Sequence, residues 1–195
     1  MTDDRTLGRE DIRRGFVWLG AASVIARVLD ACSVLVVMWF VSREQIGLAT
    51  LAWSASVLLE SMNGLGLNTA LLQTPQISQE KLTAAFWYTL GVATLLVLLV
   101  TAFSPLLANY FEQPGLSPMI VASSTKLWFV GAALVPLNQL NRAAQFERIA
   151  AVSTLATLGS GLLTIALAAS GQQAWALVIG QTSHGAFTML GALVA

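Results

Sequence analysis

Six apolar stretches alternate along this chain with short polar separators. They run over Gly15–Val41, Ile46–Leu72, Leu82–Tyr110, Ser117–Leu140, Arg148–Ala169 and Ala174–Ala195. About 20 mostly apolar residues, rising 1.5 Å each as a helix, cross a hydrocarbon core roughly 30 Å thick. Each stretch is therefore a predicted transmembrane helix. The separators carry helix punctuation. Ser42–Gln45 is a tight turn, and Ser78 is placed to cap the third span. Glu112–Gly115 ends that span, Ser117 and Pro118 open the fourth as N-cap and first helical residue, and Gly171 closes the fifth. Residues 1–14 are polar and mixed in charge, with Leu7–Arg14 predicted as a short interfacial helix. The sixth run continues to Ala195 with no closing loop, which predicts a chain truncated at its C-terminus.

Composition agrees with a lipid solvent. Hydrophobic residues make up 56% of 195 positions and charged residues 10%, where a soluble domain carries charge on roughly a quarter. The mean hydropathy is +0.72. Net charge is zero and Lys and Arg form no cluster, which excludes a nucleic-acid face. The single Cys32 excludes a disulfide or thiolate metal site within one chain. The sequence has no phosphate-binding glycine loop, no dinucleotide fingerprint and no metal-ligand spacing. The expectation is thus a non-enzyme without metal, cofactor or catalytic residues.

Charge asymmetry sets the expected orientation. Arg5, Arg9, Arg13, Arg14, Lys81, Arg142 and Arg148 fall on one side, against Arg43 on the other, with Lys126 one or two turns inside span four. The positive-inside rule then puts both ends of the chain in the cytoplasm.

Three ionisable residues lie far from any interface. Arg27 and Asp30 share a face of span one, and Glu60 stands in span two. They are 17, 14 and 16 residues from Glu44 in the connecting turn. All three therefore lie roughly 20–25 Å along their helices from it. A lone charge at that depth costs about 3 kcal/mol or more, so the hairpin predicts that Arg27 contacts Glu60, Asp30 or both. Such a cluster is either an ion pair locking the hairpin or the lining of a substrate or ion path. Arg27 is the candidate substrate-binding cation; Asp30 and Glu60 are candidates for the charge pair or a coupling ion.

Polar residues near this level extend the candidate site. Ser56, Glu60, Asn63 and Gly64 form one stripe of span two, and Asn138 follows Pro136 in span four, where a kink is expected. Asn63 and Asn138 are the further substrate-binding candidates. Ser153, Thr157, Ser160 and Thr164, beside Gly159 and Gly161, form a small-residue seam suited to close helix packing. Ser160 and His184 are each 11 residues from the turn before the last span, an outline that resembles the rhomboid proteases. Leu158 stands where that family's motif requires glycine. A Ser–His hydrogen bond, or a histidine facing a polar cavity, is the simpler expectation.

A wider resemblance runs along most of the chain. Ser42–Ala49 (SREQIGLA) and Gly64–Gln73 (GLGLNTALLQ) resemble the first hairpin of the oligosaccharide (Wzx-like) flippases. That family lies within the multidrug/oligosaccharidyl-lipid/polysaccharide exporter superfamily. The likeness continues through Leu82–Trp87 (LTAAFW), Tyr110–Pro114 (YFEQP), Asn141–Arg148 (NRAAQFER) and Gly171–Gln181 (GQQAWALVIGQ). The resemblance implies an all-α integral membrane protein, a bundle of six transmembrane helices forming the N-terminal lobe of a two-lobe transporter. It implies carriage of a lipid-linked oligosaccharide of the polyprenyl pyrophosphate type across the bacterial inner membrane, by alternating access. It also implies membrane lipids as neighbours and a partner in the missing second lobe or another copy. A multidrug or cation exporter of the same superfamily is the alternative; a serine protease and an inert truncated product are more remote.

Overall fold

The computed structural model describes residues 9–63 and 78–195, with side chains from Val24 to Ser61 and from Ser78 onward. Seven helical segments account for nearly all of it, and no strand is present among the described residues. They are α1 (Arg9–Phe40), α2 (Arg43–Asn63), α3 (Gln79–Tyr110), α4 (Leu116–Ser124), α5 (Lys126–Arg142), α6 (Phe146–Ala169) and α7 (Ala174–Val194). In a hydrocarbon solvent only a helix satisfies its own backbone along a single segment, which is why long apolar runs take this form. Among the described residues four spans are long and apolar enough to cross a membrane: α3, α4 with α5, α6 and α7. The outer surface is that of a membrane protein, with Leu58, Leu98, Leu106 and Leu162 each exposed by about 60–70%.

Helix ends follow local chemistry. Ser78 caps α3, its hydroxyl accepting from the Lys81 N–H at 3.4 Å. Gly171, at φ +86°, closes α6 in the left-handed conformation, and the next N–H, of Gln172, reaches back to the Leu167 carbonyl at 3.1 Å. Within α3, Pro105 cannot donate to the Thr101 carbonyl, and the Ser104 hydroxyl does so instead at 3.1 Å.

Several boundaries differ from the sequence expectation. Residues 9–14 belong to α1, a continuous helix of 32 residues, rather than to a separate interfacial helix. The part of span two expected over Gly64–Leu72 lies outside the described residues. Ser117 does not cap its span; it sits inside α4 and meets Ser104 of α3 at 2.9 Å. The fourth span, where Pro136 suggested a kink, is helical through that proline, and its two helical segments meet at Thr125. There the backbone tightens to three-residue hydrogen bonds, Thr125 N–H to Ala122 O and Trp128 N–H to Thr125 O. Hydroxyls supply further donors, Ser124 to Val121 O at 2.7 Å and Thr125 to Ala122 O at 2.7 Å.

Packing divides the bundle. α1 lies along α6, α6 along α7, and α7 along α5; α2 packs on α4, and α3 on α4 and α5. Among the described residues α1 does not pack along α2, its neighbour in sequence. Buried apolar side chains form separate clusters, one of Ala49, Ala52, Leu116 and Ile120 and another of Val37, Val41, Ala168 and Ala176. Between these groups the bundle opens a cleft.

Candidate functional site

The cleft follows from where three helices come unusually close. At Gly161 of α6 an added Cβ would lie 2.7 Å from the Ser33 hydroxyl of α1, so α1 is drawn onto α6. At Gly180 of α7 it would lie 1.9 Å from the Thr164 hydroxyl of α6, so α7 is drawn onto the same helix. Small residues permit this backbone approach. Having turned to α6, α1 leaves α2, and a cavity of about 410 Å³ opens among α1, α2, α5, α6 and α7.

Its lining combines apolar side chains, Ala26, Val34, Val37 and Leu177, with a group of polar and charged ones. Arg27 and Asp30 reach it from α1, Lys126 from α5, Thr157, Ser160 and Thr164 from α6, and Gln181 and His184 from α7. Trp53 of α2 supplies an aromatic face. Lys126 is the first residue after the break at Thr125, and its Nζ donates to Glu60 Oε2 at 2.9 Å. The lysine side chain is 13% exposed and that of Glu60 33%. The lysine stem runs beside Gly185 of α7, where a Cβ would lie 3.0 Å from its Cγ. Glycine there leaves room for the stem.

The pairing expected of Arg27 is thus corrected. Glu60 takes Lys126, not Arg27, and no ion pair or hydrogen bond joins Arg27 to Asp30 among the described residues. The reason is the departure of α1 from α2: a short turn keeps two helices adjacent at one end only. Arg27 and Asp30 nevertheless face one cleft, while Glu60 is joined to it through Lys126. Asn138 is buried, its amide donating to the Leu134 carbonyl of its own helix at 2.9 Å, and it is not part of the cleft wall. The Asn63 side chain lies outside the described residues.

His184 faces the cleft, and its Nε2 lies 3.5 Å from the Thr157 hydroxyl. Ser160 donates instead to the Thr157 carbonyl at 3.1 Å. Serine and histidine are therefore not joined as a nucleophile and its base. The seam expected on α6 packs closely at Thr164, and that residue lines the cavity as well. Sequence reasoning put Lys126 one or two turns inside span four but did not count it in the site, and it likewise left out Trp53 and Gln181.

Residues 20–195 match the model of a family described as polysaccharide biosynthesis protein. The chain is similar to the lipopolysaccharide biosynthesis protein WzxC of Escherichia coli (strain K12), 26% identical over 187 residues. That alignment covers 93% of this chain and 37% of the relative, so the chain spans little more than a third of that protein's length. No solved structure matches it.

Proposed function

Because the chain belongs to the polysaccharide biosynthesis protein family, we propose that it is a six-helix lobe of a flippase. The flippase moves lipid-linked oligosaccharide of the polyprenyl pyrophosphate type across the bacterial inner membrane, by alternating access with a second lobe or another copy. The headgroup enters the cleft and the lipid tail stays among the apolar outer side chains. Both chain ends face the cytoplasm; with Lys126 inside the bundle, the charge asymmetry becomes seven against Arg43 alone.

The observation that carries this reading is the placement of Arg27. It faces a cleft that gathers charged, amide and hydroxyl side chains within a largely apolar bundle. A guanidinium fork suits phosphate oxygens, and intramembrane charges facing a cavity mark transport paths. Threonine and serine hydroxyls, Gln181 and the Trp53 ring supply hydrogen bonds and an aromatic face for sugars. The volume falls within the roughly 300–1,000 Å³ of small-molecule sites. Asp30 balances Arg27 and, with Glu60, is a candidate for the coupling ion.

One observation favours a cation exporter of the same superfamily: Asp30 faces the cleft without an ion pair among the described residues. Transport separates the two readings. Reconstituted in vesicles, the Arg27→Ala protein should flip lipid-linked oligosaccharide about ten-fold more slowly, the loss of one charge-assisted phosphate contact. Unchanged flipping removes the anion-binding role, and cation efflux lost only with Asp30→Asn establishes the exporter.

A further inference from the structure

We propose that Lys126 is a second anion-binding residue of the cleft, held by Glu60 until a negatively charged headgroup displaces that carboxylate. The inference rests on the reading that the cleft takes an anionic headgroup. It adds a residue, a direction of movement and a competitor within the chain.

Four features support the exchange. Lys126 lines the same cavity as Arg27, yet its ammonium is turned to Glu60 of another helix, at 2.9 Å. This lysine directly follows the tightened turn at Thr125 and lies within the span Leu116–Arg142 rather than at its edge. Gly185 sets no side chain against the stem at Cγ, and the exchange asks only for a rotation of the lysine side chain beyond that point. Finally, a donor stands ready for the carboxylate that is left behind. Ser56, one turn before Glu60 on the same face of α2, is 2% exposed, and its hydroxyl has no hydrogen-bond partner among the described residues. A buried donor without a partner is costly, and a displaced Glu60 carboxylate would satisfy it. Two cations converging on one pyrophosphate also match its charge better than Arg27 beside Asp30 alone.

The test is equilibrium binding of farnesyl pyrophosphate to the purified protein in nanodiscs of zwitterionic lipid. Lys126→Met should weaken binding about ten-fold, and Lys126→Arg should retain most of it. Glu60→Gln should tighten binding about five-fold, because the lysine no longer has to be taken from a carboxylate. In the Lys126→Met background the same change should give less than about a two-fold gain, since a general change of field would act in either background. A mere structural pair predicts weaker or unchanged binding in Glu60→Gln, and either result overturns the exchange. So does an equal gain in both backgrounds. Arg27→Ala separates the two levels of the argument. Weakening by Arg27→Ala with none by Lys126→Met leaves the anionic cleft standing and removes the exchange. No saturable binding by the unmodified protein removes both. Inorganic pyrophosphate should compete, whereas replacing the lipid with phosphatidylglycerol should not; loss of binding in that lipid would assign the site to membrane phospholipid and overturn the proposal.

Discussion

The wall of the cleft made by α1, α6 and α7 and the wall made by α2 and α5 are built from different materials. The first is held by absent side chains. Gly161 and Gly180 bring hydroxyls of the neighbouring helices into the space where a Cβ would stand, and the contact energy is spread over many apolar atoms. The second adds to the apolar contact of Leu59 with the cluster around Leu127 one ion pair, Lys126 with Glu60, beside the tightened turn at Thr125. Dispersed backbone approach resists displacement because nothing can move until whole helices do. A single charge pair resists only until another charge competes for one partner. The rigid part of the bundle is thus the glycine wall and the responsive part the charged wall.

The largest effect should come from breaking the first wall. Gly180→Leu puts a branched side chain where even a Cβ would collide with Thr164, at 1.9 Å from its hydroxyl and 3.0 Å from its Cβ. Overpacking of this kind costs about 3 kcal/mol, which lowers the midpoint of thermal unfolding in detergent by roughly 6–12 °C. A shift below about 2 °C would show that α6 and α7 separate readily and that the comparison is wrong.

Breaking the second wall should cost less and should be recoverable. Lys126→Met leaves Glu60 without its cation at membrane depth, for about 2 kcal/mol. Adding Glu60→Gln removes the orphaned charge and should restore most of that loss, by the same thermal measurement. Failure of the second substitution to restore stability would mean that Lys126 acts through packing of its stem beside Gly185, and the pair would lose its special standing.

The two walls were unequally legible from the sequence. Apolar run length placed α3, α6 and α7 within a few residues, because each is an uninterrupted helix whose ends carry local signals such as Ser78 and Gly171. The break at Thr125 left no comparable mark. Ser124 and Thr125 bond to carbonyls of their own turn, a role that serine and threonine also play inside intact membrane helices. Pro136 gave the stronger signal and yet sits in an unbroken helix. Arg27 and Asp30 were legible as cleft residues because charge at membrane depth has few places to go. Their partner was not, since pairing depends on which helices pack, and α1 follows α6 rather than its sequence neighbour. Lys126 was within reach of the same counting that found Glu60. It lies 12 residues past Pro114, and Glu60 lies 16 past Glu44. Both turns are on one side of the expected topology, so the depths are about 18 and 24 Å, a difference that a lysine side chain spans.

The smallest effect sharpens the comparison most, because its sign can be reversed. A Cβ at residue 161 would meet the Ser33 hydroxyl at 2.7 Å and the Ser33 Cβ at 3.6 Å. Only the oxygen is in the way. That hydroxyl also donates to the Leu29 carbonyl of its own helix at 2.9 Å, so turning it aside gives up a bond inside α1. Gly161→Ala should therefore destabilise the native protein by about 1 kcal/mol, the contact cost exceeding what alanine gains as a helix former. With Ser33→Ala already in place the remaining approach is ordinary van der Waals contact. Gly161→Ala should then stabilise by up to about 0.8 kcal/mol through helix propensity. The four proteins of this cycle, compared by thermal midpoint, give opposite signs for one substitution in two backgrounds if α1 is seated on α6 through this contact. The same sign in both would mean that α1 is held elsewhere along its length, and the rigid wall would then consist of α6 and α7 alone.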